Sequence, residues 1–99
     1  MTHAEFIESL ETIFKEAVDI AKKKNTDYSK DSDPFLNFRF SPYVGVPVER
    51  GILVRICDKL SRISNLLDQE AQVKDESIED TLKDLINYSA ILLTYIKQK

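Results

Sequence analysis

The sequence predicts an all-α domain of three helices, the last two folded back on each other as an antiparallel hairpin. Three observations carry this. Apolar residues recur at three- and four-residue steps in three long stretches, as amphipathic helices require. All three prolines (34, 42 and 47) and Gly45, one of two glycines, fall in one stretch after the first of these, so no long helix can run through it. The connector from Asp68 to Lys74 is polar and only long enough for a tight reversal. Ninety-nine residues make a single domain, 1–99, with a limited core. A short helical chain of this kind is expected to complete its core by self-association, as a homo-oligomer.

Thr2 and Glu5 have capping-box spacing, which starts the first helix at once. Phe6, Leu10, Ile13, Phe14, Ala17, Ile20 and Ala21 form its apolar stripe. Lys22, Lys23 and Lys24 are expected to close it, where cations complement the last carbonyls, with Asn25 just past the end. The alternative for the three lysines is that one of them reaches a phosphate.

The segment Asn25 to Pro47 is a long aromatic-rich loop. Tyr28, Phe35, Phe38, Phe40 and Tyr43 lie in it, more than half of the four tyrosines and five phenylalanines of the chain. Such rings want burial or a stacking partner. Asp33-Pro34 reads as a turn start, and Phe35, Phe38 and Phe40 are expected to tuck against the helices, with one or two rings left to stack on a base.

Val48 to Leu67 is the second helix, with Ile52, Leu53, Ile56, Leu60, Ile63 and Leu67 as its apolar face. Gly51, Arg55, Asp58, Arg62 and Asn65 follow one another at helical steps on the far side. Gly51, unusual near a helix start, allows a close approach by another backbone or a ligand. The third helix lies within Asp75 to Tyr95, capped by Ser77 with Asp80 or by Asp75 alone. It carries two stripes. Ile78, Leu82, Leu85, Ile86, Ser89, Leu93 and Ile96 form an apolar face; Asp80, Asp84, Asn87 and Ile91 recur about half a turn away. Carboxylates four apart can share a cation, but the same spacing describes an ordinary solvated stripe. The arginines of the second helix and the aspartates of the third could meet across a subunit interface or converge on a ligand.

Composition excludes several classes. Hydrophobic residues at 42% and charged ones at 31% are globular values. A net charge of −3 argues against a duplex nucleic-acid binder. No apolar run approaches the roughly 18 residues that span a bilayer, and the N-terminus has no signal-like pattern, so a cytoplasmic protein without membrane partners is expected. Cys57 is the single cysteine, which excludes an intrachain disulfide framework; inside an apolar helix it reads as a small core residue. His3 has no partner at ligand spacing. Tyr88 and Tyr95, two turns apart, read as packing residues. No Walker-type loop, Rossmann fingerprint, Ser-His-Asp set or HExxH occurs.

Four blocks resemble a known family: Asn25-Thr-Asp-Tyr28, Asp33-Pro-Phe-Leu-Asn-Phe-Arg39, Arg50-Gly-Ile-Leu-Val-Arg-Ile-Cys-Asp-Lys-Leu-Ser-Arg62 and Asp75-Glu-Ser-Ile-Glu-Asp-Thr-Leu-Lys-Asp-Leu-Ile-Asn-Tyr88. They look like the blocks of the nucleotide-modification-associated domain, a small, mostly phage-encoded helical family found near nucleotide-modifying genes. The third helix is also similar to the all-α nucleotide pyrophosphatases of the MazG type, which hold magnesium on a nucleoside triphosphate with acidic motifs from two antiparallel helices. That resemblance implies magnesium ligation by Asp80 and Asp84, with Glu76 and Asp58 as added ligands, and a metal-held water attacking a phosphoryl group. The partner helix departs from that pattern, offering Arg55, Asp58 and Arg62 where those enzymes place paired glutamates. Arginines suit direct bidentate binding of phosphate.

The leading expectation is therefore nucleotide binding without a metal cofactor, by Asp27, Tyr28, Asn37, Arg39, Arg55, Asp58, Lys59 and Arg62. Arginines and Lys59 would take phosphates, a ring would stack on the base, and Asn37 would read its edge. In a phage such a protein would serve base modification or sequester a nucleotide signal. The alternatives are a magnesium-dependent nucleotide pyrophosphatase using Asp58, Glu76, Asp80 and Asp84, and a non-catalytic helical interaction module. Under the leading reading Asp80 and Asp84 hold Arg55 and Arg62 in place.

Overall fold

A computed structural model describes residues 1–28, 33–72 and 76–99, with residues 26–28 described by their backbone alone. Secondary structure among these residues is entirely helical: α1 (His3–Tyr28), two short 3₁₀ turns (Leu36–Phe38 and Ser41–Val44), α2 (Val48–Leu66) and α3 (Ile78–Gln98). The start of α1 is set by Thr2, whose Oγ1 accepts the Glu5 N–H at 3.1 Å. Its end lies further on than the lysines imply. The helix runs through Asn25 to Tyr28, and its last turn holds no basic residue. No proline or glycine stands between Lys24 and Pro34 to stop the ladder. Ser77 caps α3 in a full capping box with Asp80; the alternative cap, Asp75, lies outside the described residues.

Helices α2 and α3 pack along their length as an antiparallel pair. Ion pairs mark both ends: Lys99 Nζ to Glu49 Oε1 at 3.0 Å where α3 finishes beside the start of α2, and Arg62 to Glu76 at the reversal. Helix α1 packs on α3, with fewer neighbours there. It is held largely by polar contacts. The Asn87 side-chain amide donates to the Ala17 carbonyl at 2.9 Å, and Lys83 pairs with Glu16 at 2.6 Å and with Glu79 at 3.4 Å. The Glu16 hydrogen bond, against the opposing effect of desolvation, holds the Lys83 pKa above its ordinary value.

The core sits where the segment before α2 meets the hairpin. Phe35, Phe38, Val48, Ile52 and Tyr95 are buried together, with Tyr88, Ile91 and Leu92 against them. Phe35 meets Tyr95 edge-on at 5.2 Å and Phe38 meets Tyr88 edge-on at 6.3 Å. Such contacts add about 0.5–1.5 kcal/mol each beyond burial. Phe40, expected to tuck in as well, is instead 69% exposed. Arg39 braces this plug. Its guanidinium grips Asp33 through Nε at 2.9 Å and Nη2 at 3.3 Å, and lies 5.8 Å from the Phe35 ring and 5.7 Å from that of Tyr95. Asp33 also accepts the Phe35 N–H at 3.0 Å, a local turn that places the following rings. Gly51 allows the close approach its position implied. A Cβ there would come within 2.8 Å of Ser41 Oγ, so the second 3₁₀ turn sits directly on α2.

The main correction concerns which face of α3 is inside. Leu82, Ser89, Leu93 and Ile96 of the apolar stripe are exposed, and Ile78, Leu85 and Ile86 are only half-buried. The mixed face is turned inward instead: Asp84, Asn87, Tyr88 and Ile91 are half-buried, and Thr81 and Tyr95 buried. On α2, Ile52 is fully buried but Leu53, Leu60 and Leu67 are exposed, as is Cys57, expected in the core. On α1, Ala17 is buried while Phe6, Ile13 and Phe14 are exposed.

Two predictions test the plug. Phe38 is 6% exposed and Tyr43 is 85% exposed. Phe38→Ala should cost about 3–5 kcal/mol in urea unfolding, and Tyr43→Ala less than about 0.5 kcal/mol. The Asp33 carboxyl is held below its ordinary value of 3.8 by the Arg39 hydrogen bond first and the Phe35 N–H second. A depressed carboxylate contributes stability that is full above its unfolded value and lost as pH falls through the folded one. Asp33→Asn should thus lower Tm at neutral pH, and the gap to the parent should close on acidification below pH 3.8. A gap that stays constant with pH would contradict the ionic account.

Candidate functional site

A cleft opens between α1, the first 3₁₀ turn and the inward face of α3. Ala21, Pro34, Phe38, Tyr88 and Ile91 give it apolar walls; Lys24, Asn25, Asn37, Asp84 and Asn87 bring polar groups to it. Its volume is about 70 Å³. That exceeds the ~10–15 Å³ one water needs and admits a small planar or tetrahedral group.

Helical geometry assembles the polar side. Asp84 stands on the α3 face that looks towards both other helices, so two lysines converge on it. Lys24 Nζ reaches Oδ1 at 2.8 Å and Lys59 Nζ reaches Oδ2 at 3.2 Å. The Asp84 side chain is 17% exposed and that of Lys24 44%, so the carboxylate is shielded while Lys24 stays open to water. Two ammonium groups thus meet one carboxylate at the edge of the cleft. Lys59 Nζ also lies 5.9 Å from the Tyr88 ring, whose edge contact with Phe38 closes the apolar wall. The Asn87 amide is committed to the Ala17 carbonyl, whereas Asn37 is exposed at the rim.

The residues singled out from the sequence separate into groups. Asn37 lines the cleft, and Lys59 borders it through Asp84. Arg39 lies outside the lining, bound to Asp33 and stacked on the core rings. Arg55 and Asp58 are exposed on α2 and do not line the cleft. Arg62 pairs with Glu76, and its Nε has no hydrogen-bond partner among the described residues. The side chains of Asp27 and Tyr28 lie outside the described residues. The expected pairing of Asp80 and Asp84 with Arg55 and Arg62 does not form: Asp80 is taken by the Ser77 cap and Asp84 by the two lysines. Glu76, Asp80 and Asp84 are thus engaged by different partners, and Asp58 is exposed on α2. Among the described residues no group of three or more His, Cys, Asp or Glu side chains is placed to hold a metal.

Phe38, Tyr88, Asn87 and Asn25 were not in the expected binding set. The signal for Asn87 was present in the spacing of the α3 polar stripe, Tyr88 was read as a packing residue, and Lys24 belonged to the three lysines for which a phosphate contact was one option. What the sequence lacked was the direction in which that stripe faces. No helix among the described residues is long and apolar enough to cross a membrane.

The family model for nucleotide modification associated domain 1 matches residues 47–96, which covers α2, the reversal and almost all of α3. No curated protein and no solved structure matches the chain. With half of its length matched, the chain belongs to the nucleotide modification associated domain 1 family.

Proposed function

We propose that the chain binds a small nucleotide at the cleft between α1, the first 3₁₀ turn and α3. The observation that carries this reading is the meeting, in one place, of two lysines, an aromatic wall and a rim amide. Lys24 and Lys59 would take phosphate oxygens, with Asp84 setting their positions. The base or sugar would lie against Phe38 and Tyr88, and Asn37 would hydrogen-bond a ring edge. The cleft accepts only part of a nucleotide at once, so the remainder would lie across the exposed side of Asn37 and Asn25. The family's association with nucleotide modification supports this choice of ligand class.

In this reading the protein works in the cytoplasm of a phage-infected cell as a homo-oligomer. It either serves a base-modification pathway or sequesters a nucleotide signal. Magnesium-dependent pyrophosphate hydrolysis has less support, because Glu76, Asp80 and Asp84 are each taken by a different partner. A non-catalytic interaction module would leave the two lysines as a purely structural clasp.

A thermal-shift screen with mono-, di-, tri- and cyclic nucleotides, in the presence of a metal chelator, tests the proposal. A ligand at 100 times its Kd adds about 2.7 kcal/mol, a rise of roughly 10–20 °C for a domain of this size. At least one nucleotide should raise Tm; Lys24→Ala and Lys59→Ala should remove the shift, and Arg55→Ala should keep it. No shift across the panel, or a shift that needs magnesium, would overturn it.

A further inference from the structure

The single chain exposes more surface than its mass requires. Its accessible surface is 7564 Å² for 11.4 kDa. A compact monomer of this mass exposes about 5,800 Å², so the excess is about 1,800 Å². The radius of gyration is 15.1 Å, against about 13 Å for a compact domain of this length. Exposed apolar side chains lie on the 3₁₀ segment, at Phe40, Tyr43 and Val44, and along all three helices. The 3₁₀ segment and the cleft cover one side of the hairpin, where Ser41 meets Gly51 and the loop rings meet Tyr88 and Tyr95.

Two exposed apolar seams lie on the helices of the hairpin, the first at heptad spacing. On α2 the seam is Leu53, Leu60 and Leu67, with Cys57 between; on α3 it is Leu82, Leu93 and Ile96, with Ser89 between. Those six aliphatic side chains are between 43% and 71% exposed. Next to the α3 seam an almost wholly apolar groove runs between α3 and α1, floored by Ala17 and Ala90 and walled by Phe14, Val18, Leu85 and Ile86.

We infer that this face is the dimer interface, covered by a second copy of the same chain. If each copy buried its excess, the interface would total about 3,600 Å², within the ~2,000–5,000 Å² range of obligate homodimers. The pattern suits self-pairing. Two antiparallel helices that each expose an apolar seam, one of them at heptad spacing, can be matched with their own copies by a twofold axis, giving a four-helix layer. An anionic membrane is a poorer occupant, because the chain carries a net charge of −3. The inference deepens the oligomeric part of the proposed function, and none of the six seam side chains lines the cleft.

Sedimentation equilibrium of the full chain tests it. The expected mass is twice 11.4 kDa. Leu60→Glu and Leu93→Glu should each shift the chain to monomer, while Tyr43→Glu, an equally drastic change outside the face, should leave the dimer intact. Should the seam variants fail to fold, the Tm of the unaltered protein decides: it should rise with protein concentration, as coupled dimerisation requires. A monomer whose Tm is independent of concentration overturns the inference, as does a monomer that co-sediments with anionic lipid vesicles. A monomer that still shows the nucleotide shift overturns the interface and leaves the ligand reading standing.

Discussion

The structure depends on the orientation of α3, which turns its mixed face inward and leaves Leu82, Leu93 and Ile96 exposed. An inward face made of Asp84, Asn87, Tyr88, Ile91 and Tyr95 cannot be covered by aliphatic side chains alone. Its rings are met by rings, Phe38 on Tyr88 and Phe35 on Tyr95. Its polar groups are met by groups that satisfy them: the Ala17 carbonyl for Asn87, and two ammonium groups for Asp84. Both demands explain why the proline-rich segment is dense in aromatics and why α1 is attached through polar contacts. A buried carboxylate without partners would be costly; with two it becomes a fixed point joining all three helices.

The same orientation ties the fold to the candidate site. The cleft exists because a polar-aromatic α3 face is only partly covered by the 3₁₀ segment, leaving Lys24, Asn37 and Asp84 around a small apolar hollow. Arg39 contributes indirectly. By gripping Asp33 and lying on Phe35 and Tyr95, it holds the segment that carries Asn37 and Phe38. Matching of the family over 47–96 falls on the hairpin, so the described contributions of α1 and the 3₁₀ segment lie mostly outside the matched region. The hairpin is thus the shared frame, and the surrounding elements shape what this chain can hold.

Much of the architecture was legible in the residues. Ser77 with Asp80, Thr2 with Glu5, the clustered prolines and the polar reversal located the helices and the hairpin, because caps and breakers act within a few residues. Gly51 signalled a close approach that Ser41 makes. What could not be read was which stripe of α3 faces in. Apolar periodicity places a stripe towards other apolar surface but does not say whether that surface belongs to the same chain. For that reason Leu93 and Leu60 read as core although they are exposed, and Asp84 read as part of a solvated stripe or metal site although it is a junction. Partner choice was equally hidden: the side chains that reach Asp84 come from Lys24, sixty residues away, and Lys59, and neither spacing is local.

Nuclear Overhauser contacts in a sample mixing isotope-labelled and unlabelled chains test this orientation most directly, because they separate contacts within a chain from contacts between copies. The account predicts intrachain contacts of the Phe38 ring with Tyr88 and of the Phe35 ring with Tyr95, and added contacts of the Leu60 and Leu93 methyls between copies. Intrachain packing of Leu82 and Leu93 against Ile52 and Ile56, with the loop rings free of Tyr88 and Tyr95, would contradict it.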